Sequence, residues 1–374
     1  MNVVHIVPAP FGPHGVVGGA ERYALELARQ MADRVPTTLV TFGEEQPEHS
    51  VGALRVRTIG NPWFVRGQRT NPFSFDVFRE MRGADVVHCH QHHVLVSSAA
   101  AAWSRLTGRQ VFVSDLGGGG WDVSAYVSTD TWFHGHLHLS EYSRRIHGHA
   151  TLSRARVIGG GVDTRKFSPD RNVPRDGGAL FVGRLLPHKG IADLIRGLPD
   201  GVPLTVVGPV PDPATKDRLV ELSRGKAVTF LHGLDDEALV HEYRRAMCIV
   251  LPSVYRTDEG YETVVPELLG QTLLEGMACG APAICTDVAS MPEIVEHGVS
   301  GFVVPPNDPA SIGERLSWLS AHPAEAASMG EAGRRRVLAK FTWTHTVDCC
   351  LEAYREARSV GQARSRVAVT GGAR

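Results

Sequence analysis

The chain has 374 residues, 43% of them hydrophobic, and a formal net charge of −1 at pH 7. This length is greater than that of most single domains, and the hydrophobic content is sufficient to build two cores. Because there is no surplus of basic residues, we expect no nucleic-acid partner. No apolar run reaches the ~18 residues of a membrane-spanning helix, and the N-terminus lacks the charged and apolar regions of a signal peptide. The composition therefore predicts a two-domain cytoplasmic protein.

The cysteines show no C-x-x-C spacing, and most of them stand among apolar residues. We therefore expect buried free thiols, as in proteins of a reducing cytosol. The six positions are Cys89, Cys248, Cys279, Cys285, Cys349 and Cys350.

The first half of the chain alternates short β-rich runs with helical patterns. The β-rich runs are residues 3–7, 38–41, 86–89 and 111–113, and the helical patterns are residues 21–31 and 96–106. A further strand ends at residue 139, and Ser140 is placed to cap the helix after it. Strands that alternate with helices predict a parallel sheet covered on both faces.

The same alternation restarts in the second half of the chain. Its predicted strands are residues 179–182, 204–207, 228–231, 248–251 and 283–286. This pattern predicts a second doubly wound unit. Ligands of open α/β sheets bind beyond the carboxyl ends of the strands, where the motifs described below are found.

The most informative segment reads PELLGQTLLEGMACG, in which Glu267 and Glu275 stand on either side of Gly270. A helix that begins near Gly270 carries Gln271 and Thr272 at its N-terminus and Glu275 about one turn further on. The unpaired N–H groups and the helix dipole at that end favour a phosphate ligand. Two carboxylates that bracket a phosphate can accept hydrogen bonds from sugar and ribose hydroxyls. The segment therefore predicts a sugar-nucleotide site.

This E-x7-E element, together with the run EGMACGAPAICTDVASMPEIVEHGVSGFVVPPND, resembles the retaining glycosyltransferases of family 4. The resemblance covers nearly the whole chain. It implies the GT-B fold, an α/β architecture of two Rossmann-like doubly wound domains that face an interdomain cleft. It also implies sugar transfer from a nucleotide-diphosphate sugar without a metal or other cofactor. The acceptor it implies is a carbohydrate, a lipid-linked glycan or a small natural product.

The stretch GGGVDTRKF resembles the crossover between the two domains of that family, although a glycine stands at position 160 where the family usually has asparagine. We expect an acceptor-side domain over residues 1–165 and a nucleotide-sugar domain over residues 172–340. The resemblance implies that a final helix, residues 341–360, packs back on the first domain. The small, polar and basic tail, residues 361–374, is expected to be disordered.

Arg184 and Lys189 follow a strand and lie five positions apart across a turn that contains Pro187, so both can reach one anionic group. The resemblance assigns them to the donor diphosphate, where fixed cations stabilise the charge of the leaving group. The alternative is a pair of solvated surface charges. We assign Glu267 to hydroxyls of the transferred sugar and Glu275 to the ribose.

Gly18, Gly19 and Glu21 stand where the first loop meets the first helix. Paired glycines let the backbone approach a phosphate or a sugar closely. The resemblance places this GGAE stretch near the diphosphate and the acceptor, and the alternative for Glu21 is a favourable first-turn charge. Backbone groups of the second domain are expected near the nucleotide base at Gly208, Gly233 and Leu234.

Asp115 begins the stretch DLGGGGWD, directly after a strand. Many members of the family have a histidine at or next to this position, close to the reacting sugar. We therefore consider Asp115 a candidate catalytic residue that binds a sugar hydroxyl or an acceptor group. The glycines would let this loop close over the sugar. Gly118 and Trp121 in the loop, and His90 at another strand end, are expected on the acceptor side.

Two trios of histidines alternate along predicted strands, so each trio shares one face. A metal site is one interpretation, but zinc usually takes cysteine or carboxylate partners as well. We therefore predict no metal ligands, and a structural or acceptor-side role for His134 and His136. The trios are His88, His90 and His92, and His134, His136 and His138.

Residues 61–78 combine five aromatic side chains with Arg66 and Arg69. One interpretation is a surface that stacks on a sugar or contacts lipid headgroups, which would bring the protein to the inner membrane surface. The other is a helix packed on the sheet, and we favour it for most of the phenylalanines.

Other functions on the same fold are a sugar-nucleotide epimerase, a phosphorylase and a catalytically silent sugar-nucleotide-binding protein. A phosphorylase would need its own phosphate site or cofactor lysine, and we find neither signature. A silent relative would be favoured by loss of Glu267 or of the Arg184–Lys189 pair, and all three residues are present. The sequence therefore predicts a retaining glycosyltransferase, but it does not specify the base, the sugar, the acceptor, the linkage or the oligomeric state.

Overall fold

The computed structural model describes residues 1–10, 18–43 and 48–371. It divides into two compact units, Met1–Gly161 together with Trp343–Arg374, and Val162–Thr342. The predicted domain bounds, 1–165 and 172–340, lie near this division. Each unit is built on a parallel or mostly parallel sheet with helices between the strands.

The first unit contains an eight-stranded sheet with the order β10-β9-β8-β7-β1-β2-β4-β3. Every pair in it is parallel except the hairpin β3–β4. A separate two-stranded ribbon is formed by β5 and β6. The strands are β1 (Val3–Pro10), β2 (Thr37–Phe42), β3 (Glu48–Val51), β4 (Leu54–Ile59), β5 (Trp63–Phe64), β6 (Pro72–Phe73), β7 (Val86–Cys89), β8 (Gln110–Val113), β9 (Gly135–His138) and β10 (Ala155–Val157).

The helices of the first unit cover its sheet. They are α1 (Gly19–Ala32), α2 (Val77–Glu80), α3 (Leu95–Leu106) and α4 (Glu141–Ile146). Helix α1 buries Tyr23, Leu27 and Met31 at helical spacing, as its sequence pattern predicts. Strands β7, β8 and β9 are buried along their whole length, as expected for parallel strands covered on both faces. Ser140 caps α4 as predicted, because its Oγ accepts a hydrogen bond from the Ser143 N–H at 3.0 Å.

The second unit contains a fully parallel six-stranded sheet with the order β13-β12-β11-β14-β15-β16. Its strands are β11 (Ala179–Val182), β12 (Leu204–Val207), β13 (Val228–Leu231), β14 (Cys248–Leu251), β15 (Ala283–Thr286) and β16 (Gly301–Val304). Its helices are α5 (Ile191–Gly197), α6 (Pro213–Leu222), α7 (Asp236–Arg245), α8 (Gln271–Ala278), α9 (Met291–Ile294), α10 (Pro309–Ala321) and α11 (Pro323–Lys340). The predicted α/β class with two doubly wound domains is thus confirmed.

The last helix, α12 (Trp343–Gly371), belongs to the first unit. Its Tyr354 hydroxyl lies 2.8 Å from Nδ1 of His88 on β7. Near its start, a Cβ on Gly161 would lie only 2.3 Å from the Trp343 ring, so the chain fits there only with glycine. The structure differs from the predicted tail: helix continues from residue 361 to Gly371, and residues 372–374 lie outside the described part.

Five of the six cysteines are buried, Cys349 is partly buried, and all six are free thiols. Burial raises the pKa of the Cys89, Cys248 and Cys279 thiols to about 12, so they are protonated and unreactive near neutral pH. The predicted free thiols are therefore confirmed. Across the described ranges, none of the helices combines the length and the apolarity that a bilayer crossing requires.

Candidate functional sites

The turn after β11 brings Lys189 against the segment that follows β14. Gly190 has a left-handed backbone, with φ of 67°, and a Cβ on it would lie 1.9 Å from the Pro252 carbonyl oxygen. Only glycine permits this approach. In the same turn, the Lys189 ammonium forms an ion pair with the Glu267 carboxylate.

Glu267 is held from a second side by a residue that the sequence analysis did not identify. Its Oε1 accepts a hydrogen bond from Ser253 Oγ at 3.1 Å. The side chains of Lys189 and Glu267 are only 15% and 12% exposed. Because a mostly buried charge is stable only when it is paired, the structure fixes the positions of both groups. Two of the predicted site residues are therefore in direct contact.

Arg184, by contrast, is exposed just beyond β11. Among the described residues it forms no ion pair. Its guanidinium therefore remains available for an anionic ligand, whereas the charge of Lys189 is shared with Glu267. The structure places both cations in one turn, as predicted, but it gives them different environments.

His188 also lies in this turn, and it was missed because nothing in the sequence marks it. Burial, and then the neighbouring Lys189, lower the pKa of His188 to about 4. Its Nδ1 is buried without a hydrogen-bond partner among the described residues. His188 is therefore a neutral imidazole at neutral pH, placed beside the two predicted cations.

Helix α8 begins at Gly270, which adopts the left-handed conformation with φ of 78°. Gln271 and Thr272 form its first turn and are partly exposed, so the N-terminal N–H groups lie where an anion can reach them. On the opposite side, a Cβ on Gly276 would lie 2.8 Å from Ile249 in β14. The helix therefore packs tightly on the sheet, and its start directly follows the loop that carries Glu267.

Glu275 is buried in this helix, with 6% of its surface exposed. Its Oε2 accepts a hydrogen bond from the hydroxyl of Tyr243 at 2.7 Å. Tyr243 is fully buried in α7, and from the sequence it is indistinguishable from an ordinary core residue. An ionised carboxylate can accept more than one hydrogen bond. The sequence analysis identified the carboxylate and missed the tyrosine that orients it.

The predicted base-contacting backbone lies at the carboxyl ends of β12 and β13. A Cβ on Gly208 would lie 2.0 Å from the Gly183 carbonyl oxygen, so the ends of β11 and β12 are in close contact. The Gly208 carbonyl oxygen also lies 2.7 Å from Nδ1 of His232, next to Gly233 and Leu234. These loops thus belong to the same sheet edge as Arg184.

In the first unit, the Gly18–Gly19 stretch forms the N-terminus of α1. The Glu21 carboxylate accepts a hydrogen bond from the Gly18 N–H at 2.8 Å, which caps the helix. This corresponds to the first-turn alternative for Glu21. The Gly18 amide is engaged by that carboxylate, while Gly19 is exposed. Donor contacts by this stretch stay a prediction.

Asp115 anchors the glycine-rich loop that follows β8. Its Oδ1 accepts hydrogen bonds from the Gly117 N–H at 2.9 Å and from Gln91 Nε2 at 3.3 Å. The Gln91 amide in turn bonds both the N–H and the carbonyl oxygen of Gly118. A Cβ on Gly118 would lie 2.9 Å from Gln91 Oε1, which explains the glycine. The sequence analysis missed Gln91.

A histidine, His147, does lie close to Asp115, although it is distant in the sequence. Its Nε2 lies 3.5 Å from Asp115 Oδ2. Burial opposes ionisation of Asp115, but the hydrogen bonds from His147 and Gly117 outweigh it, and the pKa of the carboxyl is lowered. The same hydrogen bond raises the pKa of His147. This pair was missed because 32 positions separate its members.

Trp121, at the end of the loop, is held by two residues of the aromatic segment 61–78. Asn71 donates a hydrogen bond to the Trp121 carbonyl oxygen at 2.8 Å, and the Arg66 guanidinium lies 4.1 Å above the indole ring. In the same segment Phe73 and Phe78 pack on the core, whereas Trp63 and Phe75 are 61% and 78% exposed. The favoured helix is found only at the end of the segment, in α2, because residues 63–73 form the ribbon of β5 and β6 and the chain between them. Contact with a membrane surface stays a prediction.

His90, predicted on the acceptor side, is buried among other histidines. Its Nε2 lies 2.7 Å from Nδ1 of His5, and the ring stacks on His88 at 4.4 Å between centroids. Both nitrogens of His88 are engaged, by Ser114 Oγ and by the Tyr354 hydroxyl, each at 2.8 Å. Burial lowers the pKa of the His5, His88 and His90 imidazoles, so these three residues form a neutral polar network inside the sheet.

Comparison with known proteins places this fold and these motifs in one class, the GT-B glycosyltransferases. The family described as "Glycosyltransferase Family 4" matches residues 17–166, and the one described as "Glycosyl transferases group 1" matches residues 165–336. The chain belongs to glycosyltransferase family 4, as its resemblance implied.

Among similar proteins is the alpha-maltose-1-phosphate synthase of Mycobacterium tuberculosis, which is 27% identical over 64% of this chain and 68% of that protein. The D-inositol 3-phosphate glycosyltransferase of Mycolicibacterium gilvum is 33% identical over 55% of this chain. That second alignment spans about half the length of the relative, 47%.

Two solved structures show the same fold. Sucrose-phosphate synthase from Thermosynechococcus elongatus has a TM-score of 0.75 at 20% identity and covers 96% of this chain and 100% of that one. Anabaena Alr3699/HepE, in complex with UDP and glucose, has a TM-score of 0.74 at 17% identity and covers 95% and 100%. At these identities the likeness establishes the architecture alone.

Proposed function

We propose that this glycosyltransferase moves a sugar from a nucleotide-diphosphate sugar to an acceptor hydroxyl, with retention of configuration and without a metal in the donor site. The observation that carries the proposal is the contact between Lys189, Glu267 and Ser253. It fixes the cation of the turn after β11 against the carboxylate of the loop that leads into α8. A diphosphate and a sugar hydroxyl need a cation and an acceptor of this kind.

The donor diphosphate would be bound by three sources of positive charge in the second unit. They are the exposed guanidinium of Arg184, the ammonium of Lys189 and the N–H groups at the start of α8. Negative charge grows on the diphosphate as the glycosidic bond breaks, and fixed cations stabilise that charge without reorganisation. These groups perform the task that a divalent ion performs in other transferases, so donor chemistry would need no metal.

The sugar and the ribose would be oriented by the two glutamates of the E-x7-E element. Glu267 would accept hydrogen bonds from hydroxyls of the transferred sugar, with its carboxylate held by Lys189 and Ser253. Glu275 would accept from the ribose, with its carboxylate held by Tyr243. Because both carboxylates are positioned before the donor binds, little side-chain entropy is lost on binding.

Transfer would follow a front-face course. The bond between the anomeric carbon and the diphosphate oxygen breaks, and the acceptor oxygen bonds to the anomeric carbon from the face that the diphosphate leaves. The acceptor proton passes to an oxygen of the departing diphosphate, so charge and atoms balance. We assign no side chain as a nucleophile, so the proposed course contains no covalent intermediate.

The nucleotide and the acceptor can be approached through the relatives. UDP and glucose are bound by the Anabaena protein, and an inositol phosphate is named for the Mycolicibacterium relative. We therefore propose a UDP-sugar as the first donor to test. Acceptors to test are D-inositol 3-phosphate, simple sugar phosphates and oligosaccharides.

The test is a donor panel of UDP-, GDP-, ADP- and dTDP-glucose, followed by saturation-transfer NMR and by calorimetry. We expect one nucleotide to bind preferentially, and binding to weaken in Arg184→Ala. Lys216→Ala, on an exposed lysine of α6, is the matched control and should leave binding unchanged. Equal binding in Arg184→Ala and the control would contradict the donor site. Binding without transfer to any acceptor would favour the silent relative, and conversion of the free donor to an epimer would favour the epimerase.

A further inference from the structure

Four residues of the first unit form a second polar cluster that the proposed transfer reaction does not use. His92 lies in the loop after β7, Asp130 begins a 3-10 helix, His136 lies on β9, and His149 follows α4. Three of the four are buried, and Asp130 is partly exposed. We call these residues the His–Asp cluster.

The distances within the His–Asp cluster are those of a metal site more than those of a hydrogen-bond network. Asp130 Oδ1 lies 3.9 Å from Nε2 of His92 and 3.7 Å from Nε2 of His149. Both separations are too long for a hydrogen bond and too short for a bridging water. Ligand atoms of tetrahedral zinc stand roughly 3.4 Å apart, since Zn–N and Zn–O bonds are ~2.0–2.2 Å long.

His136 completes the donor set. One ligand atom each from His92, Asp130 and His136 lies within 4.8 Å of the other two. The His136 ring centroid is 5.7 Å from that of His92 and 4.2 Å from that of His149. Two imidazoles and one carboxylate are thus close enough to share one ion, and they are of the ligand types that zinc prefers. His149 lies beside the carboxylate as a candidate fourth ligand.

The existing hydrogen bonds of the cluster are few and long, so a metal could replace them at small cost. His92 Nε2 lies 3.3 Å from Thr129 Oγ1, and His136 Nε2 lies 3.2 Å from the Asp130 carbonyl oxygen. Both distances are near the upper limit for such bonds.

An outer contact orients His149. Its Nδ1 lies 3.0 Å from Nε2 of His138, whose Nδ1 lies 3.2 Å from Ser143 Oγ. These two hydrogen bonds keep Nε2 of His149 directed at Asp130. Hydrogen bonds to the far nitrogen of a ligating histidine are the usual way in which proteins orient metal ligands.

The charge state of the cluster agrees with this geometry. Burial, and then His93, lower the pKa of His92 to about 4, and burial and His149 lower that of His136 to about 3. Burial opposes ionisation of Asp130, but the neighbouring histidines outweigh it and lower its pKa. Neutral imidazoles and an ionised carboxylate are the forms that bind metal.

The other group of histidines, His5, His88 and His90, does not qualify. Both ring nitrogens of His88 are hydrogen-bonded to hydroxyl groups. A metal bound by His88 would displace one of these 2.8 Å hydrogen bonds in a fully buried place, and the 2.7 Å contact between His5 and His90 occupies a further nitrogen of each ring. Of the two groups of histidines, the His–Asp cluster is therefore the better candidate for a metal site.

We propose that His92, Asp130, His136 and His149 bind one divalent transition-metal ion of the zinc class. The ion joins four separate segments of the first unit and fixes the chain between the glycine-rich loop and β9. It has no part in the donor chemistry, whose residues belong to the second unit. This proposal departs from the prediction that the histidines hold no metal, which treated each trio as one strand face. The ligands come from four segments.

The test is metal binding by the full chain, purified without a histidine tag and treated with a chelator. Cobalt is added first, because its visible absorption reports coordination, and zinc is then used to displace it. Bound zinc is counted by elemental analysis. We expect one ion per chain, and a rise of about tenfold or more in the cobalt Kd for Asp130→Asn and for the double variant His92→Asn/His136→Asn.

His49→Asn, an exposed histidine of β3, is the matched control and should bind as the unchanged chain does. Circular dichroism and nucleotide-sugar binding check that each variant is folded. Binding far below one ion per chain would overturn the proposal. Equal binding in Asp130→Asn, in the double variant and in the control would also overturn it, and would direct attention to His5, His88 and His90.

Discussion

The two units use charge in opposite ways. In the second unit the candidate site presents positive charge, through an exposed Arg184, the ammonium of Lys189 and the start of α8. In the first unit the clustered imidazoles are buried and neutral, with one carboxylate among them. The first arrangement suits an anion and the second a cation. Under the two proposals, the binding of a diphosphate and the binding of a metal are therefore assigned to different units.

The largest effect that would sharpen this contrast is expected from Lys189→Ala. Loss of the ammonium removes charge stabilisation from the leaving diphosphate and leaves Glu267 without its ion pair. We expect turnover to fall by about 10²- to 10³-fold while the chain stays folded. Steady-state kinetics with Lys216→Ala alongside measures this. Turnover close to that of the control would remove Lys189 from the reaction.

Metal removal should affect the stability of the first unit and leave donor binding by the second unit unchanged. If zinc at about 100 times its Kd stabilises the first unit, a chelator removes about 2.7 kcal/mol of the free energy of unfolding. Donor binding should be unchanged, because no residue of the donor site is a metal ligand. Differential scanning fluorimetry and calorimetry on the same samples test both statements. Loss of donor binding after chelation would indicate a metal in the second unit, contrary to the proposal.

Glu275→Ala tests the second carboxylate of the E-x7-E element. A charge-assisted hydrogen bond to the ribose is lost, so we expect donor binding to weaken by about 1.5–3 kcal/mol. Tyr243→Phe removes only the hydroxyl that orients Glu275, and it should cost about 1 kcal/mol of binding. Titration calorimetry distinguishes the two. Donor affinity that does not change in Glu275→Ala would exclude the ribose assignment.

The smallest expected effect concerns the glycine-rich loop of the first unit. A Cβ on Gly120 would lie 2.8 Å from Val94 and 3.0 Å from the His93 carbonyl oxygen, whereas a Cβ on Gly119 would touch nothing within 4 Å. Gly120→Ala should therefore destabilise the fold by about 1–2 kcal/mol, and Gly119→Ala by less than about 0.5 kcal/mol. Urea unfolding measures the difference. Equal stabilities would mean that the loop is not packed as described.

The candidate sites of the two units also differ in how much of each could be predicted from the sequence. Lys189 belongs to a short segment in which a strand end, a turn and a helix start follow one another, and Gly270 directly precedes a helix start. Local patterns of that kind carry their own structural signals. The strands at 86–89 and 179–182 were likewise readable, because continuous apolar runs mark buried parallel strands.

The remaining parts of the sites depend on contacts between distant segments. Asp115 meets Gln91 and His147, and Glu275 meets Tyr243, across separations of 24 to 32 positions. No periodicity or spacing encodes such meetings, since they arise from the order of strands in the sheet. The same reason explains why the His–Asp cluster was not predicted, although each of its histidines was visible in the sequence.

The most direct test of the proposed reaction is the anomeric configuration of its product. The preferred donor is incubated with an accepted sugar or, failing one, with water alone, and the product is followed by proton NMR from the first minutes. Lys189→Ala serves as the inactive reference. We expect an α-linked product, or free sugar released first as the α-anomer, from an α-linked donor. A β-configured product would contradict retention and the front-face mechanism. No product from a donor that binds would show that this family 4 member binds sugar nucleotides without transferring the sugar.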